Sequence, residues 1–248
     1  MSYRLGVDVG GTFTDLLLVD ESSGHIHTAK VPSTPEDSSI GVLSGVEKVC
    51  SSAGINPKSI THIMHGTTVA TNTILTGSGA KVGLVTTQGY RQTLQVARSY
   101  VPGGLGGWVI YNKSENLAPL EYTVEVPERI GAKGDVVRPL NEEMACQRLR
   151  DLEKSGIEAL TICLINSFAN PAHERRLREL AEQELPGIPV SISSEVIPEM
   201  QEYERTITTV ANSYVRPVVS KYVRNLHREL GRQVDEAHLD ILRSDGGL

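Results

Sequence analysis

The chain reads as an α/β protein built on a mixed sheet with helices on both faces. Three observations predict this class. Near the amino terminus two apolar runs, residues 5–9 and 13–19, flank a Gly10-Gly11 bend, as two buried strands joined by a tight hairpin would. From Asn141 onward strand and helix patterns alternate, which favours a parallel sheet sandwiched by helices. At 248 residues and 39% hydrophobic content, the chain can bury a real core in one large domain or two small ones.

The elements follow in order. After the hairpin, Ser22-Ser23-Gly24 turns into a third strand over 25–31, completing a meander. Residues 32–35 form a loop, and Asp37-Ser38-Ser39 caps a helix carrying Ile40, Leu43, Val46 and Val49 that Gly54 ends. A short strand over 60–65 leads through Gly66-Thr67-Thr68 into a helix over about 69–75. Residues 81–87 form another buried strand, and Gly89-Tyr90-Arg91 turns out of it. The stretch 99–127 clusters Gly103, Gly104, Gly106 and Gly107 beside Trp108, with Tyr100 and Tyr111 nearby. It reads as a lid or binding loop, or as a surface insertion pinned by aromatics.

A strand over 122–126 and a hairpin over 129–137 come next. Asn141 caps a helix with Glu142 and Glu143 in its first turn, where negative charge suits the dipole, and Gly156 stops it. Residues 159–165 form an apolar strand, and Asn170-Pro171 opens a helix with proline at its first position. A strand over 190–193 precedes a long helix over 203–230, which Pro217 should kink or split. Residues 238–242 form a last strand.

The glycine bend carries the chemistry. Without Cβ atoms the backbone can approach a ligand closely, and converging N–H groups can hold an anion such as phosphate. Thr12 and Thr14 add hydroxyls. Asp8 repels phosphate, so it best faces the accompanying cation. Strand, small turn and helix N-terminus at His65, Thr67 and Thr68 form a second anion-type site, or simply a capped helix beside a hydrogen-bonded histidine. His62 and His65, three apart on a strand, face opposite ways and make no metal pair. Glu195, Glu199, Glu202 and Glu204 gather with Arg205, either as a solvated acidic helix start or as a cluster in a cleft.

The run Asp8-Val9-Gly10-Gly11-Thr12-Phe13-Thr14-Asp15 resembles the first phosphate motif of the actin-like, sugar-kinase and chaperone ATPase superfamily. Its Gly-Gly-Thr-Phe-Thr-Asp form is similar to the hydantoinase A/5-oxoprolinase family. So are the runs from His65 to Asn72 and from Ser194 to Pro217. In the family's T-x-G-F-R-D stretch this chain has Tyr90 for Phe and Gln92 for Asp. The resemblance implies a ribonuclease-H-like domain over 1–195 and the beginning of a hydantoinase A domain over 196–248. It implies ATP held by Asp8, Gly10, Gly11, Thr12, Thr14 and Asp15, with Mg2+ near Asp8. His65, Thr67, Thr68, Glu199 and Arg205 become the catalytic candidates. The implied reaction opens a cyclic amide by phosphorylating its carbonyl oxygen. The alternatives are a subunit of a ketone carboxylase and a non-enzymatic reactivating factor. The family's further domains, or a B-type partner subunit, would complete the site in an oligomer.

Composition excludes other classes. A net charge of −6 with no basic block argues against nucleic acid and anionic membrane as partners. Cys50, Cys146 and Cys163 are odd in number and widely spaced, which fits neither a zinc site nor a disulfide framework. No apolar run is long enough to span a membrane and no signal peptide precedes the first strand, so a cytosolic location is expected.

Overall fold

The computed structural model describes residues 2–34, 38–98, 115–234 and 237–242. In chain order the strands are β1 (Tyr3–Val9), β2 (Phe13–Asp20), β3 (Ile26–Pro32), β4 (Ile60–Thr67), β5 (Val82–Thr87), β6 (Thr123–Val126), β7 (Arg129–Ile130), β8 (Val136–Arg138), β9 (Ala159–Cys163), β10 (Val190–Ile192) and β11 (His238–Ile241). The helices are α1 (Ser38–Ala53), α2 (Val69–Thr76), α3 (Thr93–Val96), α4 (Glu142–Lys154), α5 (Ala172–Glu184), α6 (Ser193–Val196) and α7 (Glu202–Gln233). The glycine cluster of 103–107, with Tyr100, Trp108 and Tyr111, lies outside the described residues, as does the run 243–248.

The chain divides into two compact units. One holds residues 1–78 and 218–248, the other 79–217. β11 returns to lie parallel to β4, which places it in the first unit.

In the first unit the order β11-β4-β1-β2-β3 makes a mixed sheet, with β1, β2 and β3 antiparallel and β4 parallel to β1. Alternation decides the faces. Leu5, Val7 and Val9 pair across the register with Leu18, Leu16 and Thr14, and all six are buried. α1 supplies Val42, Val46 and Val49 to this core, and the end of α7 supplies Tyr222, Leu226 and Leu230. Both helices therefore cover one face. On the other face Phe13, Leu17 and Met64 remain exposed, and a cavity of about 570 Å³ is lined by Leu17, Ala29, Met64 and Leu242 among others.

In the second unit β10-β9-β5-β6 is wholly parallel, and both faces are covered. α4 and α5 pack on Val85, Leu160 and Ile162. Val210 and Tyr214 of α7 pack on Val82, Leu84 and Ala159. β7 and β8 form the expected hairpin. Asn141 caps α4 by accepting from the Met144 amide, and Gly156 leaves it at φ +69. Pro171 sits at the cap of α5, one position earlier than expected. α7 runs unbroken past Pro217, and the division between the units falls there. Among the described residues no helix is long and apolar enough to cross a membrane.

Candidate functional site

The hairpin between β1 and β2 builds the first part of the site. The Gly10 amide donates to the Phe13 carbonyl at 3.0 Å, closing the bend. Gly11 and Thr12 are exposed, and their amides have no acceptor among the described residues. The space beside Gly10 is tight. A Cβ on Gly10 would lie 3.1 Å from the Phe13 carbonyl oxygen, and one on Gly11 would lie 3.4 Å from Asn72 Nδ2.

The start of α2 builds the second part. Thr68 is its N-cap residue, but its hydroxyl makes no capping bond. Instead its amide and hydroxyl both donate to the Val9 carbonyl at 3.2 Å, tying the helix to the end of β1. Asn72 Nδ2 donates to the Thr68 hydroxyl at 3.2 Å. The Val69 amide donates to Thr67 Oγ1, and the amides of Ala70 and Thr71 have no acceptor among the described residues. Turn and helix start line one cavity of about 520 Å³, with Gly10, Gly11, Thr12, Ser33, Thr68 and Asn72 on its walls. No charged side chain lines it among the described residues. An anion here would be met by backbone N–H groups, hydroxyls and a helix dipole.

The predicted residues separate along this geometry. Gly10, Gly11, Thr12 and Thr68 come together around the cavity, and Thr67, outside its lining, accepts from the Val69 amide. Asp8 points to the opposite face of the sheet from Val7 and Val9, is exposed, and stands beside Gly66. Asp15 is its cross-strand partner, and both its carboxylate oxygens accept from Lys30 Nζ at 3.0 Å. Thr14 does not face the cavity as expected. It is fully buried, and its hydroxyl lies 3.0 Å from Ser33 Oγ.

His65 is also turned inward. Its side chain is fully buried beside Val7, and its Nε2 lies 2.7 Å from the Tyr222 hydroxyl. Burial lowers its pKa from 6.5 to about 4. The ring therefore stays neutral at pH 7, and its Nδ1 has no partner among the described residues.

Glu199 and Arg205 belong to the other unit. Arg205 is 1% exposed: it donates to the carbonyls of Leu164 (2.7 Å) and Glu199 (3.1 Å) and to Ser193 Oγ (3.2 Å). Of the acids gathered in sequence, Glu202 stays with it, its Oε1 lying 3.5 Å from Arg205 Nη2, while Glu195 binds Arg178, Glu204 binds Arg98, and the Glu199 side chain is exposed. Among the described residues no group of three or more potential ligands could hold a metal ion.

Sequence reasoning missed Ser33, and with it a buried polar network in the second unit. Glu128 is enclosed, accepting from Thr87 Oγ1 and lying 2.7 Å from His173 Nδ1. Glu174 accepts from the Leu164 and Ser194 amides and from Ser193 Oγ. It lies one turn before Leu177 on the buried face of α5, with Leu180 and Ala181, and that spacing was the signal for its burial.

Comparison with known proteins places the chain. The sequence profile of the hydantoinase/oxoprolinase N-terminal region matches residues 4–185. The caprolactamase subunit alpha of Pseudomonas jessenii is 33% identical over 99% of this chain and 36% of its own length. The acetophenone carboxylase gamma subunit of Aromatoleum aromaticum is 35% identical over 98% of this chain and 33% of its own. The crystal structure of the ATP-dependent caprolactamase from Pseudomonas jessenii superposes with a TM-score of 0.89 at 30% identity, over 99% of this chain and 36% of that one. The chain thus spans about a third of the length of these relatives. With its glycine hairpin, mixed sheet and profile match in agreement, the chain belongs to the hydantoinase/oxoprolinase family, in that family's N-terminal region.

Proposed function

We propose that this chain supplies the phosphate-gripping part of an ATP-dependent enzyme that opens a cyclic amide, such as hydantoin, 5-oxoproline or a related lactam. The observation that carries the reading is one cavity lined both by Gly11 and Thr12, whose amides have no acceptor among the described residues, and by Thr68 and Val69 at the start of α2. Such a cradle suits the phosphate tail of a nucleotide. Asp8, at the end of β1, would hold Mg2+ through water, since Mg2+ keeps several waters and needs only one or two carboxylates beside the phosphates. The metal would neutralise charge as the γ-phosphoryl group moves to the amide oxygen. That transfer would make the amide carbon electrophilic: water would add to it, the C–N bond would break with the ring nitrogen leaving as an amine, and a second water would hydrolyse the resulting acyl phosphate to carboxylate and inorganic phosphate. The ATP-dependent caprolactamase relative supports this chemistry.

The second reading is a subunit of a ketone carboxylase, which the acetophenone carboxylase relative favours. In both readings the site is completed by further segments or a partner subunit in an oligomer. The exposed Phe13, Leu17 and Met64 fit a face that such additional chain covers. Three free cysteines, two of them buried, suit a cytosolic setting. The test is ATP turnover by the complete assembly. Stimulation by a cyclic amide supports the first reading, stimulation by ketone and bicarbonate the second. Unchanged turnover after joint Asp8→Ala and Thr12→Ala substitution would exclude both.

A further inference from the structure

We infer that Ser33 is the positioning residue that holds the glycine turn in its anion-accepting form. The inference rests on the ATP reading above and assigns a role within the same site.

Ser33 follows β3 and reaches back to the turn with both of its polar groups. Its amide donates to the Thr12 carbonyl at 2.9 Å, and its hydroxyl donates to the Gly10 carbonyl at 2.8 Å. A serine hydroxyl has one proton. With that proton committed to Gly10, the Thr14 hydroxyl 3.0 Å away must be the donor to Ser33 Oγ. The chain of bonds therefore has one direction, from buried Thr14 through Ser33 to the turn. Gly41 of α1 makes room for it: a Cβ there would lie 3.4 Å from Thr14 Oγ1 and 3.3 Å from the Pro32 carbonyl oxygen.

The consequence follows from peptide geometry. The Gly10 carbonyl and the Gly11 amide belong to one planar, trans peptide, so they point in opposite directions. Fixing the oxygen on Ser33 aims the Gly11 N–H away from Ser33. The Val9 carbonyl is likewise taken by Thr68, and the Phe13 carbonyl by Gly10. A turn with these oxygens engaged presents donors outward. Glycine peptides flip easily, and without the brace a Gly10 oxygen could turn toward the cavity and repel phosphate.

The test compares Ser33→Ala, which removes the donor, with Ser33→Thr, which keeps it, in the complete enzyme containing this chain. The expected result is a rise of about tenfold in the KM and Kd for ATP in Ser33→Ala, the scale of one lost hydrogen bond. The KM for the organic substrate stays the same, and Ser33→Thr restores ATP affinity. If Ser33→Ala does not fold, Ser33→Cys makes the same comparison with a weak donor of similar size. ATP affinity within twofold of wild type in the donor-deficient variant overturns the inference. So does equal impairment in Ser33→Thr, or a loss of kcat at unchanged KM for ATP. A wild-type enzyme that binds no ATP overturns the ATP reading and this inference together.

Discussion

The Tyr222 hydroxyl meets His65 Nε2 at 2.7 Å inside the core of the first unit, joining α7 to β4. The pair lies far apart in sequence and makes a local polar contact among apolar side chains. With Nδ1 unpartnered among the described residues, the buried ring cannot take up a proton without exposing a charge to a low-dielectric surrounding.

This gives a pH dependence with a definite sign. Burial lowers the folded-state pKa of His65 from 6.5 to about 4. Below pH 6.5 the unfolded chain binds the proton and the folded chain does not. The contribution to stability is therefore complete above pH 6.5, declines as pH falls, and is lost near pH 4. Its size is on the order of 3 kcal/mol. Urea unfolding midpoints measured from pH 7 to 4 should fall in wild type. In His65→Leu that part of the slope should vanish. A slope unaltered by His65→Leu would mean that other groups carry it.

Asp8 tests the metal side of the site. It lies on the sheet face opposite Val7, while its neighbour Asp15 is already engaged by Lys30. Asp8→Asn keeps the shape and removes the charge. In the complete enzyme the Mg2+ concentration for half-maximal ATP turnover should rise at least about tenfold, with the fold intact. An unchanged Mg2+ requirement would remove Asp8 from the metal's surroundings.

Arg205 separates a structural role from a catalytic one. It is buried and satisfies two carbonyls and the Ser193 hydroxyl. Arg205→Met should remove a hydrogen bond from each of those acceptors, leave the Glu199 carbonyl without its guanidinium donor, and destabilise the second unit by about 3 kcal/mol. Chemical denaturation followed by a probe in residues 79–217 measures this. Full stability with abolished turnover would instead make Arg205 a member of the reaction's machinery.

Local features were legible in the sequence. The glycine hairpin, the α2 start and the Asn141 cap each depend on a few consecutive residues. Strand parity alone separates Asp8 from Val7 and Val9. Long-range features were not legible. Ser33 reaches Gly10 only because β3 returns alongside β2, and nothing in a loop read as residues 32–35 signals that. His65 looked like a cleft residue until Tyr222, 157 positions later, closed over it. The pairing of β11 with β4 spans the entire second unit, and no local pattern signals it. Arg205 and Glu174 carried charge in helical sequence, where exposure is the ordinary outcome, though the spacing of Glu174 to Leu177 spoke against it. Their burial follows from hydrogen-bond partners at the ends of β9 and β10.

The closeness of α1 to the sheet gives a final prediction. A Cβ on Gly45 would lie 2.2 Å from Leu16 Cδ1 and 2.9 Å from Cδ2. Leu16 is 2% exposed and packed within the core, so its side chain has little room to withdraw. Gly45→Ala gains about 1 kcal/mol of helix propensity. Overpacking at a filled core position costs roughly 1–3 kcal/mol, so the net effect should be neutral to destabilising. Leu16→Ala alone should cost about 2–5 kcal/mol through the cavity it leaves. Combined, the new methyl enters that cavity and the helix gain is recovered. The double variant should therefore be more stable than Leu16→Ala, with a coupling energy of about 1 kcal/mol or more. Four-way denaturation measurements decide this: strict additivity would mean that α1 shifts off the sheet to admit the methyl, and that Gly45 does not set their spacing.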